Sequence, residues 1–140
     1  MAKKFYLDTA IWRDYFEGRS DGLRPLGEFA FRFLKNCEMF GCRALYSELV
    51  VFELRKEYSA ERIKDAFSFF SAFLECVSIY PKQYREAKLI AAKRRETHES
   101  DALHAILARD NNAVLVTRDR HFECLNDLIG VLAPEEVIFD

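Results

Sequence analysis

Glycine and proline are scarce in this chain, with five glycines and three prolines among 140 residues. They are scattered, and no Gly/Pro/Ser-rich stretch, internal repeat or low-complexity tract divides the sequence. A chain of this length, with 50% hydrophobic residues, buries roughly 68–70% of the surface that its unfolded form exposes. We therefore expect residues 1–140 to form a single domain.

Long apolar runs, paired cysteines and excess positive charge are also absent. No run has the apolar length of a signal peptide or a membrane span, so we expect a soluble cytoplasmic protein without a membrane partner. The four cysteines form no C-x-x-C motif, which favours buried reduced thiols over a zinc site or disulfides. The formal net charge of -2 argues against a plain basic-surface nucleic-acid binder, so a polyanionic partner would need local basic patches or metal ions.

Short β-rich runs alternate with longer helical patterns. The predicted strands are residues 3–7, 44–46, 76–80 and 113–116, with a weaker one at 137–139. Apolar spacing predicts a helix that opens at Ser47, a short last helix at 120–128, and helices at 9–17, 25–39, 60–74, 83–95 and 100–110. This alternation predicts an α/β fold with a central parallel sheet, in which ligands bind beyond the carboxyl ends of the strands.

Four carboxylates fall at or near that edge of the predicted sheet. Asp8 ends the first strand, and Asp119 follows the fourth. Glu53 lies on an apolar stripe of the helix after the second strand, and Asp101 lies in the first turn of a later helix. Taken singly, the three aspartates also suit helix caps, first-turn positions or turns. Glu53 is harder to explain, because glutamate is seldom buried without a partner.

Acids gathered at one edge need a counter-charge. Like charges a few ångströms apart disfavour joint ionisation, and burial raises the pKa of a carboxylate further. Mg²⁺ or Mn²⁺ resolves this conflict, because these ions prefer oxygen ligands. Such ions also orient a water, lower its pKa and stabilise the charge that builds on a phosphodiester under attack. A divalent metal would therefore give the acids a chemical reason to lie together.

Four segments together resemble the PIN domain, including the nuclease toxins of toxin–antitoxin pairs: FYLDTAIW, LYSELVVFELR, ESDALHAILARDNNAVLVTRDRHF and APEEVIF. The resemblance spans nearly the whole chain, and its most specific part is residues 101–122. It implies a three-layer α/β/α sandwich and a metal-dependent endoribonuclease, with the toxin of a toxin–antitoxin pair as the leading interpretation. The implied cofactor is Mg²⁺ or Mn²⁺, and the implied partners are RNA, an antitoxin protein and a second copy of the chain.

Carried over position by position, the resemblance places the four acids of the family on Asp8, Glu53, Asp101 and Asp119. The three aspartates would bind metal, and Glu53 would complete the catalytic set. Thr9 and Thr117 match hydroxyl residues that hold metal or a metal-bound water. Glu48 stays an alternative to Glu53, because it lies only five residues earlier.

Basic, histidine and aromatic residues add weaker predictions. We expect His98, His104 and His121 in surface or cap positions, because they share no metal-ligand spacing, although His121 is also placed to touch RNA. The segments FSFFSAFLE and FAFRF predict a homodimer or partner interface. Basic residues beside predicted site residues are candidates for contact with RNA phosphates, although each also suits a solvated surface: Arg13, Arg55, Arg118 and Arg120.

Other functions stay open at this point. An RNA-maturation nuclease of the same family would have no antitoxin. A non-catalytic PIN-like module would bind RNA or protein without cutting, which four intact acids disfavour. A phosphotransfer receiver also carries an acidic pocket on a doubly wound sheet, but it needs a pair of acids after the first strand, where YLDTA supplies one.

Overall fold

The computed structural model describes residues 2–139, with the side chain of Arg120 outside the described part. Within that part, five strands alternate with six α-helices: β1 (Lys4–Leu7), α1 (Thr9–Glu17), α2 (Leu26–Met39), β2 (Arg43–Ser47), α3 (Glu48–Leu54), α4 (Ala60–Phe69), β3 (Leu74–Val77), α5 (Pro81–Lys93), α6 (Glu99–Asp110), β4 (Val114–Val116) and β5 (Val131–Leu132). Two 3₁₀ helices flank β5: Arg120–Leu125 and Pro134–Glu136.

The strands form one parallel sheet in the order β3-β2-β1-β4-β5. The chain runs outward from β1 through β2 to β3, and then returns to place β4 on the other side of β1. Strand order therefore reverses between β1 and β4, and the carboxyl ends of these two strands open a crevice of the kind that binds ligands. The predicted α/β fold with a central parallel sheet is confirmed.

Alternate residues of β1 face two different helical layers. Phe5 packs edge-on against Phe33 of α2, with ring centroids 5.2 Å apart. Tyr6 instead packs against His104 of α6, with ring centroids 5.6 Å apart. Helix α6 is buried without interruption over residues 102–108. In the described part of the chain, no helix is long and apolar enough to cross a membrane. The sheet is therefore covered on both faces, as a three-layer α/β/α sandwich requires.

The ends of α1 are set by its sequence. Asp8 caps the helix, because its side chain accepts a hydrogen bond from the Ile11 backbone N–H at 3.2 Å. Gly18 ends the helix with φ +56°, a left-handed conformation that favours glycine. The turn lies against α2, where a Cβ on Gly27 would stand 2.6 Å from the Gly18 Cα. These contacts fix the helix that follows Asp8.

The predicted strand at 137–139 is wrong. The fifth strand is Val131–Leu132, which is too short to show the alternation by which strands are detected. Phe139 packs against Phe5 and Phe33, with ring centroids 5.8 and 5.5 Å away. Its apolar character therefore reflects core packing rather than strand pairing.

Two predicted helices are shorter than expected. The segment 120–128 forms a 3₁₀ helix over Arg120–Leu125 rather than an α-helix. Helix α4 ends at Phe69 instead of residue 74, because Leu74 pairs with Ala44 in the sheet. The aromatic run after α4 keeps the apolar character of the helix and hides this boundary in the sequence.

The aromatic segment that was predicted as an interface contributes mainly to the core. Phe67, Phe70 and Phe73 are buried, which corrects the expectation of a broad exposed aromatic face. Phe69 is 62% exposed, and Phe31 of the FAFRF segment is 38% exposed. An interface at this place would therefore rest on these two exposed rings.

The cysteines only partly follow the expectation of burial. Cys37 and Cys42 are buried, whereas Cys76 and Cys124 are exposed, and all four are free thiols. Cys76 is exposed because it lies on β3, an edge strand of the sheet.

Candidate active site

Two of the predicted acids lie at the crevice between β1 and β4. Asp8 directly follows β1, and its backbone N–H donates to the carbonyl of Val116 at 3.1 Å. Its side chain is almost fully buried while it caps α1. Asp119 follows β4 and caps the next 3₁₀ helix, because it accepts a hydrogen bond from the His121 backbone N–H at 2.9 Å. Both aspartates therefore act as helix caps and also stand at the ligand-binding edge.

Thr117 links these two acids. Its hydroxyl donates to Asp8 Oδ2 at 2.5 Å and accepts a hydrogen bond from the Asp119 backbone N–H at 3.0 Å. Thr117 is buried, so both bonds are shielded from water. The hydroxyl therefore orients Asp8, and its role toward a metal-bound water stays a prediction.

Asp101, in the first turn of α6, lies close to Asp119. One potential ligand atom from each of Asp101, Asp119 and His121 lies within 4.8 Å of the others. Ligands held by one Mg²⁺ at about 2.1 Å are at most about 4.2 Å apart, so small side-chain rotations would bring these three onto a common ion. Asp8 and Glu53 are outside this group of three.

The electrostatics of the acids favour a bound cation. Burial, together with a smaller contribution from the charge of Asp119, raises the pKa of Asp8 to about 6, although the Thr117 hydrogen bond and the charge of His104 oppose this shift. Burial and the charges of Asp119 and Glu53 raise the pKa of Asp101 as well. A divalent cation would offset both effects, and carboxylate oxygens with an imidazole nitrogen suit Mn²⁺, while the oxygens suit Mg²⁺. The residues present therefore fit such an ion.

The carboxylate of Glu53 is held through one oxygen. Its Oε1 accepts hydrogen bonds from the Thr9 hydroxyl at 2.8 Å and from His104 Nε2–H at 2.7 Å, and no other described residue bonds to Oε2. Burial by itself would raise the pKa of Glu53, but the His104 hydrogen bond and charge lower it overall. Glu48, the alternative acid, is exposed and lines a surface groove beside Phe52.

Sequence reasoning misplaced one residue of this region. His104 was expected at the surface or at a cap, and that is wrong, because it is 3% exposed and contacts both Glu53 and the Tyr6 hydroxyl. A signal existed, since His104 lies one turn after Asp101 on a helix whose other central residues are apolar. His121 is exposed as expected, and it also stands beside Asp101 and Asp119.

Arg118 is already occupied by acidic partners. Its guanidinium forms a bidentate pair with Glu135 at 2.7 and 2.6 Å, and its Nε lies 3.5 Å from Asp14 of α1. Only 15% of its side chain is exposed. This arrangement ties the segment before Asp119 to the rest of the fold, and it does not favour contact of Arg118 with RNA.

The other predicted RNA-binding arginines have different surroundings. Arg13 lies 3.4 Å from Glu57 and is partly buried. Arg55 is exposed at the end of α3, two residues after Glu53. The side chain of Arg120 lies outside the described residues. Among the three of these arginines whose side chains are described, Arg55 is the exposed one, and Arg13 and Arg118 are partly buried.

Comparisons with known proteins agree on the fold. The family pattern of the PIN domain matches residues 5–127. The structure of VapBC2 from Rickettsia felis, bound to a DNA fragment from its promoter, is 20% identical with a TM-score of 0.66, covering 92% of this chain and 98% of that chain. FitAcB from Neisseria gonorrhoeae is 17% identical with a TM-score of 0.61, covering 95% of this chain and 99% of that chain. PAE2754 from Pyrobaculum aerophilum is 18% identical with a TM-score of 0.55, covering 97% and 94%.

No curated protein sequence matches the chain significantly. The structural likenesses show the fold, and the family pattern covers most of the chain, from β1 through the segment that carries Asp119. PIN domains are generally nucleases that use divalent metal, in agreement with the acidic group described above. The chain belongs to the PIN domain family.

Proposed function

We propose that this chain is a divalent-metal-dependent endoribonuclease, a single PIN domain that acts as the toxin of a toxin–antitoxin pair. The observation that carries the proposal is the grouping of Asp101 and Asp119 at the crevice where strand order reverses. Asp8 joins them through Thr117, and burial leaves its carboxylate in need of a counter-charge. The sequence resemblance to nuclease toxins supports the biological role.

The three aspartates Asp8, Asp101 and Asp119 would hold Mg²⁺ or Mn²⁺. When bound, the ion lowers the pKa of a water and stabilises charge on the phosphate. Thr117 keeps Asp8 and the backbone of Asp119 at a fixed separation, so the site needs little rearrangement. His121 stands beside Asp101 and Asp119 and would supply a further nitrogen ligand.

Glu53 would orient the attacking water. Its Oε1 is engaged by Thr9 and His104, which leaves Oε2 to accept a hydrogen bond from a water. In hydrolysis the water oxygen bonds to phosphorus while a phosphorus–oxygen bond of the RNA backbone breaks, and the carboxylate accepts the proton that the water gives up. The RNA backbone would be held partly by Arg55, which offsets the acidic site locally.

A cleavage assay tests the enzymatic proposal. Purified protein is expected to cut RNA in Mn²⁺ or Mg²⁺ and to stop in excess EDTA. Asp119→Asn is expected to lower the rate by two orders of magnitude or more, because charge stabilisation at such sites contributes about 10²–10³-fold. Asp65→Asn, an exposed aspartate of α4, is the matched control and should cut normally. Undiminished cleavage in EDTA would refute metal dependence.

Growth separates a toxin from an RNA-maturation nuclease. Induced expression of the wild type should arrest growth, Asp119→Asn should not, and co-expression of a small neighbouring reading frame should restore growth. Cleavage in vitro without growth arrest, and without such a reading frame, would favour the maturation nuclease.

We also propose that the chain forms a homodimer. The exposed ring of Phe69 on α4 and that of Phe31 on α2 are apolar surface in need of cover. Light scattering should give twice the chain mass of 16.4 kDa for the wild type and the monomer mass for Phe69→Ser. A monomeric wild type at micromolar concentration would refute this.

A further inference from the structure

Behind Glu53 lies an unbroken chain of hydrogen-bonded side chains. The Ser47 hydroxyl is 2.7 Å from the Tyr6 hydroxyl, and that hydroxyl is 2.8 Å from His104 Nδ1. On the other side of the ring, His104 Nε2 is 2.7 Å from Glu53 Oε1. The four residues come from β2, β1, α6 and α3, so the chain joins four elements at the carboxyl edge of the sheet.

The chemistry of the groups fixes the direction of the last bond. An ionised carboxylate only accepts hydrogen bonds, so His104 Nε2 must carry the proton that Glu53 accepts. In the neutral ring, Nδ1 then accepts from Tyr6, and Tyr6 accepts from Ser47. In the charged ring, Nδ1 donates to Tyr6, and Tyr6 donates to Ser47. In both states the ring presents a donor to Glu53.

Burial makes this chain rigid. Tyr6 and Ser47 are 0% exposed, and His104 is 3% exposed, so none of the three can exchange its partner for bulk water. A buried polar group left without a hydrogen-bond partner destabilises the folded protein, which favours the one arrangement in which Ser47, Tyr6 and His104 all keep their hydrogen bonds. The ring of Tyr6 is itself fixed in the central strand of the sheet. His104 is therefore held from behind before it meets Glu53.

The result is a carboxylate with one fixed and one available oxygen. Thr9 and His104 both donate to Oε1, from α1 and α6. Two donors on one oxygen fix the plane of the carboxylate as well as its position. The orientation of Oε2 toward a reacting water is then set by residues that never touch the substrate.

We propose that His104 is a positioning residue, held by Tyr6 and Ser47, that fixes Glu53 so that Oε2 addresses the attacking water. This inference rests on the proposed function, because it assigns Glu53 the role of orienting that water. It concerns residues that lie behind the site. It predicts that substitutions along the row of hydrogen bonds lower the cleavage rate by graded amounts, most at His104, less at Tyr6 and least at Ser47.

Steady-state RNA cleavage, with substrate in excess over enzyme, tests the inference with a set of substitutions. His104→Asn, which cannot reach Glu53, should lower kcat by about 10-fold or more with little change in KM, since partners behind a catalytic ligand contribute about 10–100-fold. His104→Gln places an amide donor near the position of Nε2 and should recover most of the loss. Tyr6→Phe should fall between wild type and His104→Asn, and Tyr84→Phe on the exposed face of α5 is its matched control.

A double-mutant cycle separates positioning from a general effect on folding. If His104 acts through Glu53, adding His104→Asn to Glu53→Gln should change the residual rate by less than about 2-fold, because coupled residues are not additive. Ile106→Val, at a buried apolar residue of the same helix, should leave kcat unchanged. Wild-type-like cleavage by His104→Asn, or effects that multiply in the double variant, would overturn the inference while leaving the nuclease proposal intact.

A spectroscopic readout makes the test independent of activity. In ¹⁵N-labelled protein, the Nε2 proton of His104 should give a downfield signal protected from exchange, and Glu53→Ala should abolish it. If the wild type cuts no RNA, the proposed function fails, and this signal still reports whether His104 holds Glu53. Absence of a protected Nε2 proton in folded wild type would refute the contact.

Discussion

Replacing Asp8 by asparagine should stabilise the free protein while it abolishes the activity. Asp8 is buried beside the charge of Asp119, and its pKa is raised from 3.8 to about 6. Each pKa unit corresponds to about 1.36 kcal/mol, so the ionised carboxylate lowers the free energy of unfolding at pH 7 by roughly 3 kcal/mol at most. Asparagine removes this charge and remains a good N-cap for α1.

Part of that gain is lost to hydrogen bonding. The carboxylate accepts from both Thr117 and the Ile11 backbone N–H through different oxygens, whereas an asparagine side chain offers one acceptor oxygen. Subtracting about 1 kcal/mol for the lost bond leaves a gain of about 2 kcal/mol at pH 7. For a domain of this size the gain corresponds to a rise in Tm of roughly 5–10 °C.

The pH dependence has a definite sign. Between pH 4 and pH 6 the folded state holds the Asp8 proton more tightly than the unfolded state does. The free energy of unfolding of the wild type therefore falls as the pH rises through that window. Asp8→Asn lacks this loss. Its stability advantage over wild type, measured by urea unfolding at several pH values, should therefore be absent near pH 4 and fully developed by pH 7.

Bound metal should make the wild type the more stable of the two proteins. An ion that binds only the folded state stabilises it by about 2.7 kcal/mol at one hundred times its Kd. Mn²⁺ should therefore raise the Tm of wild type and leave that of Asp8→Asn nearly unchanged. An Asp8→Asn variant that is less stable than wild type at pH 7 in EDTA would refute the reasoning about the buried charge.

Three further results are expected. Thr117→Val, which loses the hydroxyl between the two aspartates, should weaken Mn²⁺ binding about 10-fold by calorimetry, and unchanged affinity would contradict the bridging role. Gly27→Ala should lower the free energy of unfolding by about 1–3 kcal/mol, because its Cβ would meet backbone atoms of Gly18 and Asp14. Gly130→Ala, whose Cβ would meet no atom of the described residues within 4 Å, serves as the neutral control. Enzyme stripped with EDTA should regain RNA cleavage on addition of Mn²⁺, and recovery without added metal would count against the cofactor.

The parts of the site that follow strand ends could be predicted from the sequence. A parallel sheet has only one carboxyl edge, so a carboxylate directly after a buried strand has few places to go. Asp8 directly follows β1 and Asp119 comes three residues after β4, and the structure puts both at the crevice. Asp101 could be predicted for a related reason, since the first turn of the helix before β4 lies at the same edge of the sheet, close to Asp119.

Contacts between residues that are distant in the sequence could not be predicted in the same way. His104 shows no metal-ligand spacing, and only the packing of α6 against β1 and α3 reveals that it joins Tyr6 to Glu53. Arg118 sits beside a site acid in the sequence, yet its partner Glu135 lies 17 residues later, in the last 3₁₀ helix. Such pairs carry no local signal, because charge and hydrogen bonding do not depend on sequence separation.

Element boundaries failed where local pattern and tertiary pairing disagree. The two residues of β5 give no alternation, and they become a strand only because β4 offers a free edge. The end of α4 has no glycine or proline, so its boundary is set by the pairing of Leu74 with Ala44. In both places the sheet, rather than the local sequence, decides the conformation.

A crystal of the protein soaked in Mn²⁺ and measured at the manganese absorption edge tests the central claim most directly. The claim predicts an anomalous peak at the crevice between β1 and β4, within about 2.0–2.3 Å of carboxylate oxygens of Asp101 and Asp119. An occupied crystal whose anomalous peaks all lie away from these two side chains would contradict it.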